Sequence, residues 1–193
     1  YLVMIYFQDD FLDKELFDFI SKDLIDFKEV DAAGKKFWVI EPTDSFNEYM
    51  TKRISLIEGC KIKNILSFFR QAKENQDDTW RIHNDSIINN EQPDRAIVYY
   101  ISDNKRKDLN GTAFWKHKEH GFKMADVDSN EFNRLLIEDA NDTSKWQLES
   151  VVGHKKNRLL SYPCNYFHSK YPNEFKEDRV VFVMFYKISN ERV

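Results

Sequence analysis

The chain has 193 residues, with 29 Lys and Arg against 33 Asp and Glu, a net charge of -4. That balance argues against a general nucleic-acid binder, which is normally basic, and 15% aromatic residues with only 5 Gly and 4 Pro exclude a disordered chain. Two cysteines, Cys60 and Cys164, exclude a disulfide scaffold or a Cys-based zinc module and suit a reducing compartment, so a cytoplasmic location is expected. No apolar run has the length of a membrane span, so no membrane partner is expected. The chain begins at Tyr1 and not Met, which leaves room for an upstream segment.

Residues 2–7 (LVMIYF) read as a first strand. Asp13 can cap a helix whose apolar face is Leu16, Phe19, Ile20, Leu24 and Phe27. Ala33-Gly34 predicts a turn and Lys36–Ile40 a short strand. A second helix is expected from Ser45, which has capping-box spacing to Glu48; its stripe is Tyr49, Met50, Ile54 and Ile57, and Gly59 is a stop. From Ile62 the texture changes to short strands separated by turns: Ile65–Arg70, Trp80–His83, Ala96–Ser102, Thr112–Trp115, Trp146–Val152, Arg158–Tyr162 and Arg179–Ile188. This pattern predicts a mainly β sandwich or jelly roll with flanking helices. Residues 118–145, with a short helical pattern at Phe132, Leu135 and Leu136 capped at Ser129, read as a loop insertion that can act as a lid. The chain is then one domain over 1–193, with strand and helices in 1–61 and the β core in 62–188.

Only five histidines are present. His83-Asn84-Asp85 is the one His-x-Asp; at a strand end, residues i and i+2 point to the same side, so both can reach one ion. A later histidine completes a 2-His-1-carboxylate set, which suits Fe(II) and leaves open positions for oxidant and substrate. His168 is the best candidate. His117-Lys118-Glu119-His120 is a rival cluster, read here as a solvated charged turn. His154 sits in a Gly-His-Lys-Lys-Asn turn and is expected to be exposed. Three basic clusters, Lys105-Arg106-Lys107, Lys116-His117-Lys118 and Lys155-Lys156, read as solvated loops, or as a positive rim that steers an anion.

The ordered set ILSFFR (65–70), WRIHND (80–85), RAIVYYIS (95–102), GTAFW (111–115), NRLLS (157–161) and RVVFVMFY (179–186), with DDFL at 9–12, resembles the Fe(II)/2-oxoglutarate-dependent dioxygenases, in particular the prolyl 4-hydroxylase-like branch. The resemblance implies a double-stranded β-helix with His83, Asp85 and His168 as both catalytic and metal ligands. It implies 2-oxoglutarate as cosubstrate, held by Arg179 through its distal carboxylate and by Tyr100, with Tyr99 as the competing choice because a one-residue slip swaps faces. The resemblance further implies O2 as oxidant, ascorbate as an auxiliary reductant, and succinate and CO2 as products. By the same resemblance Asp85, in place of the small residue found in halogenating relatives, implies hydroxylation of a C–H bond or a related oxidation, on a prolyl or other amino-acid side chain or on a small molecule. The rival readings are a non-catalytic jelly-roll binding module and a cupin-type metalloprotein.

Overall fold

The computed structural model describes the chain except residues 1–3, 33–34, 75, 77–78, 86, 106–108, 123–128 and 175–176. The expected turn at Ala33-Gly34, the start of the first strand, Arg106 and Lys107 lie outside the described residues, as does the side chain of Ser129.

Among the described residues, ten strands form two antiparallel sheets. The larger has the order β1-β8-β5-β10-β4-β3-β2 and the smaller β7-β6-β9. Strand β1 (Tyr6–Gln8) pairs at one edge with β8 (Arg158–Pro163), and the hairpin β2 (Lys28–Ala32) and β3 (Lys35–Ile40) closes the other edge against β4 (Cys60–Ala72). Between them β5 (Arg95–Tyr100) and β10 (Arg179–Arg192) form the centre. The smaller sheet sets β6 (Gly111–His117) between β7 (Trp146–Gly153) and β9 (His168–Tyr171).

Alternation along these strands makes two cores on the two faces of the large sheet. Tyr99, Ile97, Phe182, Met184 and Tyr186 face the N-terminal helices. Val98, Tyr100, Val181 and Phe185 face the small sheet, where Phe114 meets them. Helix α1 (Lys14–Lys22) is capped by Asp13, whose carboxylate accepts from the Leu16 N–H at 2.9 Å. Its buried residue is Phe17, edge-on to Tyr99; Phe19, placed on the apolar stripe from sequence, is 66% exposed. The helix ends at Lys22, so Leu24 and Phe27 reach the core from the following loop. Helix α2 (Asp44–Glu58) buries Met50 and Ile54 as expected and ends at Gly59, whose φ of 71° is a left-handed cap. Its N-cap is Thr43 and not Ser45, because the Thr43 hydroxyl accepts from the Phe46 N–H.

Two further differences concern strands. Trp80–His83 is not a strand: Arg81 has φ 47°, which breaks the extended run, and only a single bridge joins His83 to His168. Conversely, β2 and β9 (HSKY) are polar and carry no apolar alternation; they are strands because a neighbour offers its open edge. In the 118–145 stretch, helix α3 (Ser129–Arg134) runs into a π-helical turn (Leu135–Asp139) and a short 3-10 turn (Thr143–Lys145). Leu135 joins Ile82, Trp115, Trp146 and Phe167 in a third core beneath the small sheet, and the Ile82 N–H donates to Ala140 O. Among the described residues no helix is long and apolar enough to cross a membrane.

Candidate metal centre

His83, Asp85 and His168 come from two separate stretches, which the backbone joins. The His83 N–H donates to His168 O at 3.0 Å, and the His168 N–H donates to His83 O at 2.8 Å. A third bond, from the Asp85 N–H to Cys164 O at 2.8 Å, holds the carboxylate arm. Trp80 and Ile82 anchor the same stretch from the other side, Trp80 edge-on to Trp115 and Ile82 buried in the third core.

The side chains converge. His168 Nε2 lies 3.2 Å from Asp85 Oδ2, and His83 Nε2 lies 3.6 Å from Asp85 Oδ1. One donor atom from each of the three lies within 4.8 Å of the others. Ligands on adjacent positions of an ion, at bond lengths of about 2.1 Å, stand about 3 Å apart, so the set is close to the spacing an ion imposes. The other ring nitrogens fix the tautomers. His83 Nδ1 faces Arg81 O at 2.8 Å and His168 Nδ1 faces Tyr166 O at 3.0 Å. A carbonyl only accepts, so each Nδ1 carries the proton and each Nε2 is turned to the shared centre, the orientation a metal-ligating imidazole needs.

Electrostatics agree with a cation-binding centre. Burial opposes ionisation of Asp85, yet the two imidazoles outweigh it and its carboxyl is held below the usual range. Burial and the neighbouring His168 push His83 down to about 4, so its ring is neutral. Burial also disfavours charge on His168, but Asp85 more than offsets this and raises it. A divalent ion would displace the proton between His168 and Asp85. Two neutral imidazoles and one carboxylate fit Fe(II) with open positions left over.

On the large sheet, Arg179 begins β10 and is only 8% exposed. It stands two residues before Val181, which pairs with Tyr100, so Arg179 and Tyr100 share the face that looks toward the small sheet. The guanidinium lies 5.1 Å from the Tyr100 ring and donates to Gly111 O. The Tyr100 hydroxyl bonds to that of Thr112 at 2.8 Å. Burial raises the Tyr100 phenol, keeping it protonated. Tyr99 points to the opposite face, where its hydroxyl donates to Asn157 Oδ1 at 2.6 Å. The structure therefore brings Tyr100, and not Tyr99, to the side of His83, Asp85, His168 and Arg179.

Two histidines are not where the sequence suggested. His154 is buried, not exposed: its ring stacks on Tyr100 at 4.8 Å and its Nε2 donates to Ser102 O at 2.7 Å. Its hairpin looks solvated because Lys155 and Lys156 turn outward, to Asp9 and Asp103. His117 is 1% exposed and not in a solvated turn. Its Nε2–H points to Asp139 Oδ2, and its Nδ1 accepts the N–H groups of Glu119 and His120. Both nitrogens are thus used. Arg134 meets Glu131, Asp139 and Glu119, so these carboxylates already have a cation beside them. This second cluster is a brace between β6 and the π-helical turn.

The architecture is that of the 2-oxoglutarate oxygenases. HygX from Streptomyces hygroscopicus, solved with nickel and 2-oxoglutarate, matches with a TM-score of 0.64 at 9% identity, over 96% of this chain and 83% of that one. A Pseudomonas putida prolyl-4-hydroxylase matches with a TM-score of 0.52 at 10% identity, over 96% and 93%. The collagen prolyl hydroxylase of Paramecium Bursaria Chlorella virus-1, in its 2-oxoglutarate complex, matches with a TM-score of 0.52 at 11% identity, over 96% of each chain. At such identities the likeness is one of fold. In sequence, the chain belongs to DUF6445, a family of unknown function whose model matches residues 43–174. No curated protein matches it by sequence.

Proposed function

We propose that this chain is an Fe(II)- and 2-oxoglutarate-dependent dioxygenase, a single domain in which the two sheets face each other as a double-stranded β-helix. The observation that carries this reading is the convergence of two correctly turned Nε2 atoms and one carboxylate opposite a buried arginine. His83, Asp85 and His168 would hold the iron. When bound, iron couples O2 reduction and the decarboxylation of 2-oxoglutarate to succinate and CO2 with oxidation of a substrate C–H bond.

The chain's own residues bind, orient and exclude water. Arg179 offers a planar fork to the distal carboxylate of 2-oxoglutarate, in a buried setting where a charge-assisted bond is strong. Tyr100, neutral and hydrogen-bonded to Thr112, supports the same carboxylate. His154, stacked behind Tyr100, is a positioning residue. Phe114, Tyr162 and Val181 pack in the apolar core between the sheets beside the site, and such surroundings keep bulk water from a reacting centre. The substrate is a small molecule or an amino-acid side chain. HygX, whose fold this chain shares, has been solved with hygromycin B bound.

The test is uncoupled turnover of 2-oxoglutarate by protein loaded anaerobically with Fe(II) and then exposed to O2. The expected result is iron-dependent succinate formation that His83→Ala and Asp85→Ala abolish. Equal succinate from wild type and variants, or none that depends on iron, would overturn the reading and favour a silent binding module.

A further inference from the structure

Strand β8 ends beside the triad. Two residues beyond Tyr162, the carbonyl of Cys164 accepts the Asp85 N–H at 2.8 Å. Tyr162 pairs with Ala96 and shares an apolar core with Val98, Tyr100 and Phe114, so its ring lies on the side of the large sheet that faces the small one. The ring stands 4.7 Å from that of His168 and 5.2 Å from that of Phe114, and only 3% of the residue is exposed.

Four tyrosines are buried among the described residues. Three of their hydroxyls have a partner: Tyr99 donates to Asn157, Tyr186 donates to Glu58, and Tyr100 shares a bond with Thr112. Tyr162 is the exception, for among the described residues no group stands within hydrogen-bond distance of its hydroxyl. A hydroxyl taken out of water and left unpaired destabilises a fold, so its presence here points to an acceptor supplied by a bound molecule. Burial and, among nearby charges, Asp85 first hold the phenol well above its ordinary value, while Arg179 acts against them. The phenol is therefore a protonated donor, and it neighbours both the triad and the Arg179 end of the site.

We propose that the Tyr162 hydroxyl is a hydrogen-bond donor to the 2-oxo-acid end of 2-oxoglutarate. This rests on the oxygenase reading, which sets that end at His83, Asp85 and His168 and the far carboxylate at Arg179. The far carboxylate already has Arg179 and Tyr100, whereas Tyr162 adjoins the triad through the His168 ring. A carboxylate has about four lone-pair sites, so an end that gives one oxygen to a metal still accepts a donor. The ring belongs to the apolar core, and its hydroxyl serves the ligand.

The test compares wild type with Tyr162→Phe, which keeps the ring on His168 and removes only the hydroxyl. In metal-free protein the variant is expected to melt no lower than wild type, because the lost hydroxyl has no partner in the chain. A fall in Tm of more than about 3 °C would reveal a partner within the protein and refute the proposal. In Zn(II)-loaded protein, followed by ligand-observed NMR, Tyr162→Phe is expected to weaken 2-oxoglutarate about tenfold. Pyruvate, which has the 2-oxo-acid end alone, should weaken by the same factor. Arg179→Gln should weaken 2-oxoglutarate and change pyruvate less than about twofold. Unchanged affinity of Tyr162→Phe for both ligands contradicts the proposal. A loss confined to 2-oxoglutarate contradicts it too, and would put the hydroxyl at the far carboxylate. In both cases wild type still binds 2-oxoglutarate and the oxygenase reading stands; wild type that binds no 2-oxoglutarate when loaded with metal overturns that reading and this proposal together.

Discussion

Replacing Arg179 by Ala separates the two halves of the site. The guanidinium is buried at the head of β10, against the Tyr100 ring, while the three proposed metal ligands are held by backbone bonds among His83, His168, Asp85 and Cys164. None of those bonds involves Arg179, so the triad keeps its geometry in the variant. A hydrogen bond to a charged group contributes about 1.5–3 kcal/mol, which corresponds to about 10- to 150-fold in affinity. The assay is calorimetric titration of 2-oxoglutarate into Mn(II)-loaded protein, alongside titration of Mn(II) into metal-free protein. The expected result is a loss of that size for 2-oxoglutarate with metal affinity changed less than about threefold. Equal losses for both ligands would refute the division of labour.

Three other outcomes follow from the packing. A Cβ at Gly111 would stand 2.0 Å from Val152 O and 2.9 Å from His154 N, at a φ of +154°, so Gly111→Ala should cost more than about 3 kcal/mol and show as a large fall in Tm; an unchanged melting curve would contradict the close approach. Ile54→Ala, at a fully buried position under β4, should lower stability to urea by about 2–5 kcal/mol; a loss below about 1 kcal/mol would show that the helix does not seal this core. His154 is pushed down to about 4 by burial first and by Arg179 second, against an ordinary value of 6.5. Its stabilising contribution is then full above pH 6.5 and lost as pH falls toward 4, since the unfolded chain takes up the proton there; the whole term is about 3 kcal/mol. His154→Phe keeps a ring on Tyr100 and should lose less stability than wild type between pH 7 and pH 4.5, and identical losses would contradict it.

The parts of this fold that were legible in the sequence are those with strong local chemistry. Asp13 and Gly59 mark helix ends, Met50 and Ile54 mark a buried stripe, and RAIVYY and RVVFVMFY are apolar enough to be central strands. His83, Asp85 and His168 could be picked out as a candidate ligand set, because a His-x-Asp with a later His suits an ion, and the structure brings one donor atom of each within 4.8 Å of the others; Arg179 entered only through the family resemblance. What was hidden depends on partners far along the chain. KEVDA and HSKY become strands through their neighbours' edges, and only the pairing of Tyr100 with Val181 decides between Tyr99 and Tyr100. His154 and His117 sit in polar stretches whose charged neighbours turn outward or form ion pairs, so polarity there does not mean exposure.

The most direct measurement is an anaerobic crystal structure with Mn(II) and 2-oxoglutarate. One ion is expected on His83 Nε2, the Asp85 carboxylate and His168 Nε2, with the far carboxylate of 2-oxoglutarate at Arg179. An ion seated at His117 and His120 instead, or 2-oxoglutarate bound away from Arg179, would contradict it.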